Sequence, residues 1–221
     1  MNAHQLIADD ILEVTPSDRI YKVLQWMEDF KVTVLPVVNS QGIYLGVIHD
    51  FLLLGTPDKD YPISKLNIPL PQPSVNKNKH LLDVITAFGK SDIHFLPVID
   101  DHEKYQGVIT LDHFIKVLSE VSSLNEVGSI IVLAVNERDY SLHEISQIVE
   151  ENDARILNSF ISANPNSTKT YVTLKINKQD VRPIVQSFER YEYVVSNLFT
   201  EKSYTDELND RFEQFMNYLN M

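Results

Sequence analysis

The side chains best equipped for chemistry in this 221-residue chain are a few imidazoles and hydroxyls. His49 follows the run Gly46-Val47-Ile48, His113 lies three residues beyond Thr110 at the end of the similar run Gly107-Val108-Ile109, and His94 opens the apolar segment that leads to Pro97. Imidazoles in such a grouping can recognise an anion or ligate a metal, and they are the side chains that titrate near physiological pH. No His-x-x-x-His or His/carboxylate spacing with metal-ligand character occurs, so ordinary capping and packing is the competing expectation and no metal is expected. Thr15, followed by Pro16, is a further polar candidate, but a Thr15 or Ser17 cap ahead of the Ile20 helix explains it equally well. Carboxylate runs such as Asp9-Asp10 and Glu150-Glu151 suit solvated helix ends. With no cysteine there can be no disulfide, thiolate metal site or cysteine nucleophile, and no P-loop, G-x-S-x-G elbow or G-x-G-x-x-G occurs among only 6 glycines. These absences point away from an enzyme.

What positions these residues is an internal repeat. Two segments superpose at a constant offset of 61 residues: VTVLPVVNSQGIYLGVIHDFLL from Val32 and IHFLPVIDDHEKYQGVITLDHF from Ile93. Leu35, Pro36 and Val37 fall on Leu96, Pro97 and Val98, and Gly46, Val47 and Ile48 fall on Gly107, Val108 and Ile109, while His94 takes the place of Thr33. Upstream, Ile20, Val23, Leu24 and Met27 fall on Leu81, Val84, Ile85 and Phe88, a spacing that makes one apolar stripe on a helix. Each copy therefore reads as helix, strand, turn, strand, helix, with polar turns at Asn39 to Gly42 and Asp100 to Lys104. Strands as apolar as VTVLPVV need cover on both faces, which two copies packed about a pseudo-twofold axis can supply. Residues 56–73 carry five prolines and read as a linker.

Beyond Val121 the pattern changes. SIIVLAV reads as a strand, SLHEISQIVEEND as a helix with Leu142, Ile145, Ile148 and Val149 on one face, RILNSFISA and TKTYVTLKI as a hairpin around Asn164 to Ser167, DVRPIVQSFERY as a helix and YVVSNLF as a strand. The order βαββαβ predicts a ferredoxin-like sheet with both helices on one face, so the fold class is α+β. The last segment, 204–221, carries Leu208, Phe212, Phe215 and Leu219 at helical spacing behind Thr205, Asp206 and Glu207, which favour a helix start. Its stripe must be buried, either on its own domain or across a homodimer.

The formal charge of -12, from 31 acidic and 19 basic side chains, repels phosphate backbones and anionic headgroups, so neither nucleic acid nor a membrane is an expected partner. An apolar fraction of 43% builds packed cores, and no segment approaches the length that spans a bilayer. A cytoplasmic protein is the expectation.

The repeated h-h-P-V-h, turn, G-V-I unit resembles the cystathionine-β-synthase (CBS) domain. The resemblance implies a CBS pair of β-α-β-β-α units, residues 1–60 and 61–122. Residues 128–200 resemble an ACT domain in element order, and the combination is similar to regulatory proteins of the acetoin-utilisation type. What this implies is a non-catalytic, ligand-sensing homodimer with a protein partner to regulate; the alternative is a scaffold whose clefts have lost their ligand. The resemblance also implies two clefts that take adenosine nucleotides through a G-h-h-[ST]-x-x-D pattern, the hydroxyl meeting phosphate and the carboxylate gripping the ribose diol. Here His49 and Leu52 stand at the hydroxyl and carboxylate positions of the first copy; the second has Thr110 but His113, with Asp112 one residue early and so turned by about 100°. The implied cleft residues are Thr15, Thr33, Pro36, His49, Ile93, His94, Pro97, Thr110, Asp112 and His113. Amino-acid-binding ACT relatives use a glycine-containing turn after the first strand; here the run Asn136 to Tyr140 has none, and Ser141 reads as the cap of the following helix.

Overall fold

A computed structural model describes residues 1–8, 12–121, 123–163 and 169–200. They form two compact units that divide between Leu118 and Ser119. Segment 204–221 and the hairpin turn at 164–167 lie outside the described residues. Among those residues no helix is long and apolar enough to cross a membrane.

The first unit contains the repeat. Helix α1 (Ile20–Asp29), strands β1 (Val34–Val38) and β2 (Tyr44–His49) and the short helix α2 (Asp50–Leu54) are matched by α3 (Leu81–Phe88), β4 (Phe95–Ile99), β5 (Tyr105–Thr110) and α4 (Leu111–Val121). The offset persists in the hydrogen-bond register. Val34 pairs with His49 and Phe95 with Thr110, and both hairpins shift register at equivalent places, Val37/Val38 and Val98/Ile99. Asn39 Oδ1 accepts from the amides of Gln41 and Ile43, and Asp100 Oδ1 accepts from those of His102 and Lys104, so an Asx-type side chain builds each turn. The bond from His102 is the main reason the Asp100 carboxyl is held below its ordinary range.

The two hairpins meet tip to tip. The Tyr44 amide donates to Glu103 O at 3.0 Å and the Tyr105 amide to Gly42 O at 2.9 Å, two bonds related by the pseudo-twofold. Val34, Val47, Phe95 and Val108 are buried in the core between the repeats, which answers the need of these strands for cover on their second face.

Chain continuity does not follow the repeat boundary. Residues 1–8, expected with the first copy, pack on the second: Ala3 and Leu6 are buried with Val75, Val84, Leu96 and Phe114. The Ala3 amide donates to Lys79 O at 2.8 Å and the Ala8 amide to Val108 O at 2.8 Å. The stretch expected as a plain linker does the converse. A 3-10 turn over Ile63–Leu66 buries Ile63 in the first copy's core, and Pro71 O accepts from the Val47 amide at 2.8 Å. The leading strand of each β-α-β-β-α copy is minimal, a parallel bridge between Val14 and Val37 in the first and β3 (Val75–Asn76) in the second.

Tyr44 and Tyr105 are equivalent residues that stack with ring centroids 6.5 Å apart, yet their hydroxyls fare differently. Tyr44 donates to Pro73 O at 2.9 Å, whereas the buried Tyr105 hydroxyl has no partner among the described residues. Burial pushes both phenols above their ordinary range. We expect Tyr44→Phe to destabilise by about 1 kcal/mol and Tyr105→Phe to be neutral or stabilising, because only the first substitution removes a made hydrogen bond. A folded-state pKa raised above the unfolded value means the unfolded chain loses its proton first, so stability is whole below about pH 10 and falls as pH rises beyond it. Thermal melts of the two variants between neutral pH and pH 11 check both statements; equal losses in the two would overturn the first.

The second unit contains β6 (Ser129–Asn136), α5 (Leu142–Glu150), β7 (Ile156–Ala163), β8 (Lys169–Ile176), α6 (Arg182–Arg190) and β9 (Val194–Phe199). The antiparallel sheet is ordered β7-β8-β6-β9. Ile131, Leu133 and Val135 of β6 alternate into one core with Val172, Leu174 and Ile176 of β8, and Ile145, Ile148, Ile184 and Phe188 bring both helices onto that same face. Ser141 Oγ accepts from the Glu144 amide at 3.3 Å, capping α5. Tyr193 fastens the far end of the sheet to α5 by donating to Glu144 Oε2 at 2.6 Å; burial and that carboxylate push its phenol up.

Candidate functional site

The repeat register decides where the chemistry gathers. Residues just before β1 and β4 and just after β2 and β5 stand at the same end of both hairpins. The Asp50 amide donates to Thr33 O and the Leu111 amide to His94 O, each at 2.9 Å, so one pseudo-symmetric pair of bonds ties the start of α2 and of α4 to the start of its neighbouring strand. Between these ends lies a cleft of about 980 Å³ lined by Lys31 to Val34 and His49 from the first copy and by Asp92 to Phe95, Thr110 to His113 and Lys116 from the second.

Of the residues expected at a ligand site, Thr33, His49, Ile93, His94, Thr110, Asp112 and His113 line this cleft. They meet in one space shared by both copies, where two separate clefts were expected. Thr15, Pro36 and Pro97 are not among its lining residues. Thr15 is spent on its own turn: its amide and hydroxyl both donate to Asp18 Oδ2, at 2.7 and 2.9 Å, and the hydroxyl lies 2.8 Å from Ser17 Oγ. Neither Thr15 nor Ser17 caps α1, whose N-cap position is Arg19. Pro36 and Pro97 lie inside β1 and β4, paired with Val47 and Val108 and buried. Proline is tolerated there because each of these positions needs no ladder donor of its own.

Within the cleft the groups divide by burial. Ile93 and Phe95 form a buried apolar floor. Thr110 Oγ1 accepts from the His113 amide at 3.3 Å, so this hydroxyl caps the first turn of α4 and retains its own proton for donation. The His49 ring packs on Phe51 with centroids 5.2 Å apart. Lys31, Thr33, Asp92, His94, Asp112 and Lys116 are exposed at the rim. Lys31, Asp92 and Lys116 were not among the expected residues, although each has a signal in the sequence: Lys31 and Asp92 are equivalent under the 61-residue offset, and Lys116 follows His113 by three residues on one helix face. Two ammonium groups against two carboxylates leave a rim with no fixed net charge, to which the imidazoles add donors and acceptors. Among the described residues no cluster of three or more metal-ligating side chains is present.

A second concavity of about 360 Å³ lies against the 63–70 segment, lined largely by Pro16, Val37, Leu45, Ile63, Leu66 and Leu70, and no candidate residue lines it. In the second unit, the turn that follows β6 forms a single 3-10 turn, Glu137–Asp139, held by Asn136 Nδ2 donating to Asp139 Oδ2 at 2.8 Å.

This architecture has known counterparts. Residues 64–120 match the family model of the CBS domain. A CBS domain pair/ACT domain protein from Thermotoga maritima is similar in structure with a TM-score of 0.50 and 22% identity, over 54% of this chain and 98% of that one. The CBS-pair protein CBSX2 from Arabidopsis thaliana gives a TM-score of 0.47 and 22% identity, over 54% of this chain and 95% of that one. Among curated proteins, an inosine-5'-monophosphate dehydrogenase from Methanocaldococcus jannaschii is 23% identical over 117 residues, which are 52% of this chain and 23% of the relative. The match thus spans about a quarter of that enzyme's length. Residues 64–120 thus match a CBS domain, and the first unit shares the fold of the CBS domain pair of the Thermotoga protein.

Proposed function

We propose that this chain is a non-catalytic regulatory protein whose CBS pair senses a small molecule in the shared cleft and whose second unit, an ACT-type domain of ferredoxin-like topology, passes the bound state to a protein partner. The observation that carries this reading is that both repeats contribute to one open, partly polar cleft of about 980 Å³. A ligand touching His49 and Lys31 on one side and Thr110 and His113 on the other binds best to one relative setting of the two repeats, and a ligand shifts an equilibrium by that difference in affinity. A pure scaffold has no use for such a space and would fill it with side chains. The exposed Phe51, Leu54, Leu82 and Ile115 on the helices of the first unit support self-association as a homodimer.

The cleft chemistry argues for a ligand other than an adenosine nucleotide. The ribose-gripping carboxylate is replaced by Leu52 in one copy and His113 in the other, and loss of a charge-assisted contact costs about 1.5 to 3 kcal/mol, roughly ten- to more than a hundredfold in affinity. Calorimetry with AMP, ADP and ATP should therefore show weak binding or none, and a Kd in the low micromolar range or below would mean that Asp112 or His113 has taken over the ribose. Mass spectrometry of small molecules retained on the purified protein is the direct test of sensing. A retained compound that is lost from a His94→Ala/His113→Ala double variant of unchanged thermal stability is the expected result; retention by that variant would place the ligand elsewhere.

A further inference from the structure

The shared cleft is symmetric in its walls and asymmetric in its charge. Thr33 and His94, Val34 and Phe95, and His49 and Thr110 are equivalents under the 61-residue offset, and all of them line it, so the pseudo-twofold passes through the space they enclose. Lys31 and Asp92 are equivalents too, yet they bring opposite charges, one to each side of that axis. The other two charges at the rim, Asp112 and Lys116, lie four apart on α4, the spacing at which opposite charges offset one another along a helix face. Neither Lys31 nor Asp92 has an ion pair among the described residues.

The backbone fixes where both charges leave it. Lys31 follows the C-cap of α1 with φ +55°, the left-handed position at which a helix ordinarily ends on glycine. The terminating motif is complete: the Val32 amide donates to Met27 O at 2.9 Å and the Lys31 amide to Glu28 O at 3.2 Å. Asp92 is the middle residue of a turn in which Ser91 Oγ accepts from the Ile93 amide at 3.3 Å. We infer, resting on the reading of this cleft as a sensing site, that its ligand is a linear zwitterion, with a carboxylate drawn to Lys31, an ammonium drawn to Asp92 and an apolar middle over the buried Ile93 and Phe95. A monoanion or a monocation leaves one rim charge unanswered, and a dianion or a dication meets repulsion at one end. An α-amino acid carries both of its charges at one end, so it answers only one side of the axis.

The probe is ε-aminocaproate. Its controls are caproate, hexylamine and norleucine, the last being the isomer with both charges at one end. Titrations of the full chain at low salt and about pH 8, where free imidazole is neutral, are followed by NMR through the ring signals of His49, His94 and His113. An exposed ion pair contributes up to about fivefold in affinity, so ε-aminocaproate should bind about threefold or more tighter than each control. Lys31→Glu should move the preference to hexamethylenediamine, and Asp92→Lys should move it to adipate. The Lys31→Glu/Asp92→Lys variant should regain the preference for ε-aminocaproate, because a linear zwitterion can turn end for end about the pseudo-twofold. General damage to the cleft cannot produce that recovery. Equal binding of caproate or hexylamine, a preference for norleucine, or preferences that the single variants leave unchanged would overturn the inference. Absence of binding by every probe would overturn it as well, whereas a retained compound that is lost with His94 and His113 would leave the sensing reading itself standing.

Discussion

Replacing Gly46 with alanine is expected to lower the unfolding midpoint of the first unit by more than about 10 °C, and replacing Gly42 in the same way to cost a small fraction of that. Gly46 sits in β2 with φ +134°, a backbone conformation that side-chain-bearing residues rarely adopt. An added Cβ would lie 2.6 Å from Pro71 O and 2.7 Å from Leu70 Cβ, in the segment that crosses β2 and accepts the Val47 hydrogen bond. Backbone strain and the displaced segment together amount to about 3 kcal/mol or more, near 4 °C per kcal/mol in a domain of this size. Gly107, its equivalent, has the same φ, but there the nearest atom is Ile7 Cγ2 at 2.6 Å, part of a side chain that can turn away. Gly42 has positive φ and open space. The order of damage in scanning calorimetry should be Gly46→Ala, then Gly107→Ala, then Gly42→Ala. A Gly46→Ala protein that melts within about 3 °C of the parent would show that the crossing segment lifts off freely.

Leu6→Ala should destabilise by about 2 to 5 kcal/mol, the range for emptying a closed core position, although it is the sixth residue of the chain and precedes the first repeat. Leu6 is 1% exposed and shares its core with Ile109 and Phe114. The short 3-10 turn that holds it, Ala3–Leu6, is itself fixed by a capping box, in which Asn2 and Gln5 exchange side-chain to backbone bonds of 2.9 and 3.2 Å. Because Ile109 and Phe114 flank Thr110 and His113, the cavity left by Leu6 loosens the second repeat's side of the cleft. The melting temperature should fall, and retention of any cleft ligand should fall with it. A variant with parental stability would mean that the leading residues are an ornament to the second repeat's core, and the exchange of leading segments between repeats would lose its energetic meaning.

Much of this molecule was legible in its residues because local pattern and tertiary need coincide. The 61-residue offset located both hairpins to within a residue or two, since alternation, Asx turns and a glycine at the bulge each answer to the backbone itself. The stripe Ile20, Val23, Met27 marked α1 because a helix with one apolar face has one stable way to sit on a sheet. Cleft residues that follow β2 and β5 were legible for the same reason: Thr110 and His113 stand at a fixed distance from Gly107 along the chain. Other features depended on which parts of the chain lie next to each other in space, and no local pattern carries that. Leu6 and Ile63 both lie in short segments outside the repeated pattern, yet Leu6, ahead of the first repeat, completes the core of the second, and Ile63, in the stretch that reads as a linker, completes the core of the first, because only packing decides which core has the gap. Thr15 read as a ligand residue or a helix cap, and the Asp18 carboxylate, 2.9 Å from its hydroxyl, holds it in a local turn instead. Tyr44 and Tyr105 are equivalent in sequence and unequal in bonding because Pro73 O reaches one hydroxyl and nothing described reaches the other. Above all, it took the pseudo-twofold pairing of the hairpins to bring His49, His94 and His113 to one shared space: the residues are chosen by the chain, but their convergence belongs to the packing of one repeat against the other.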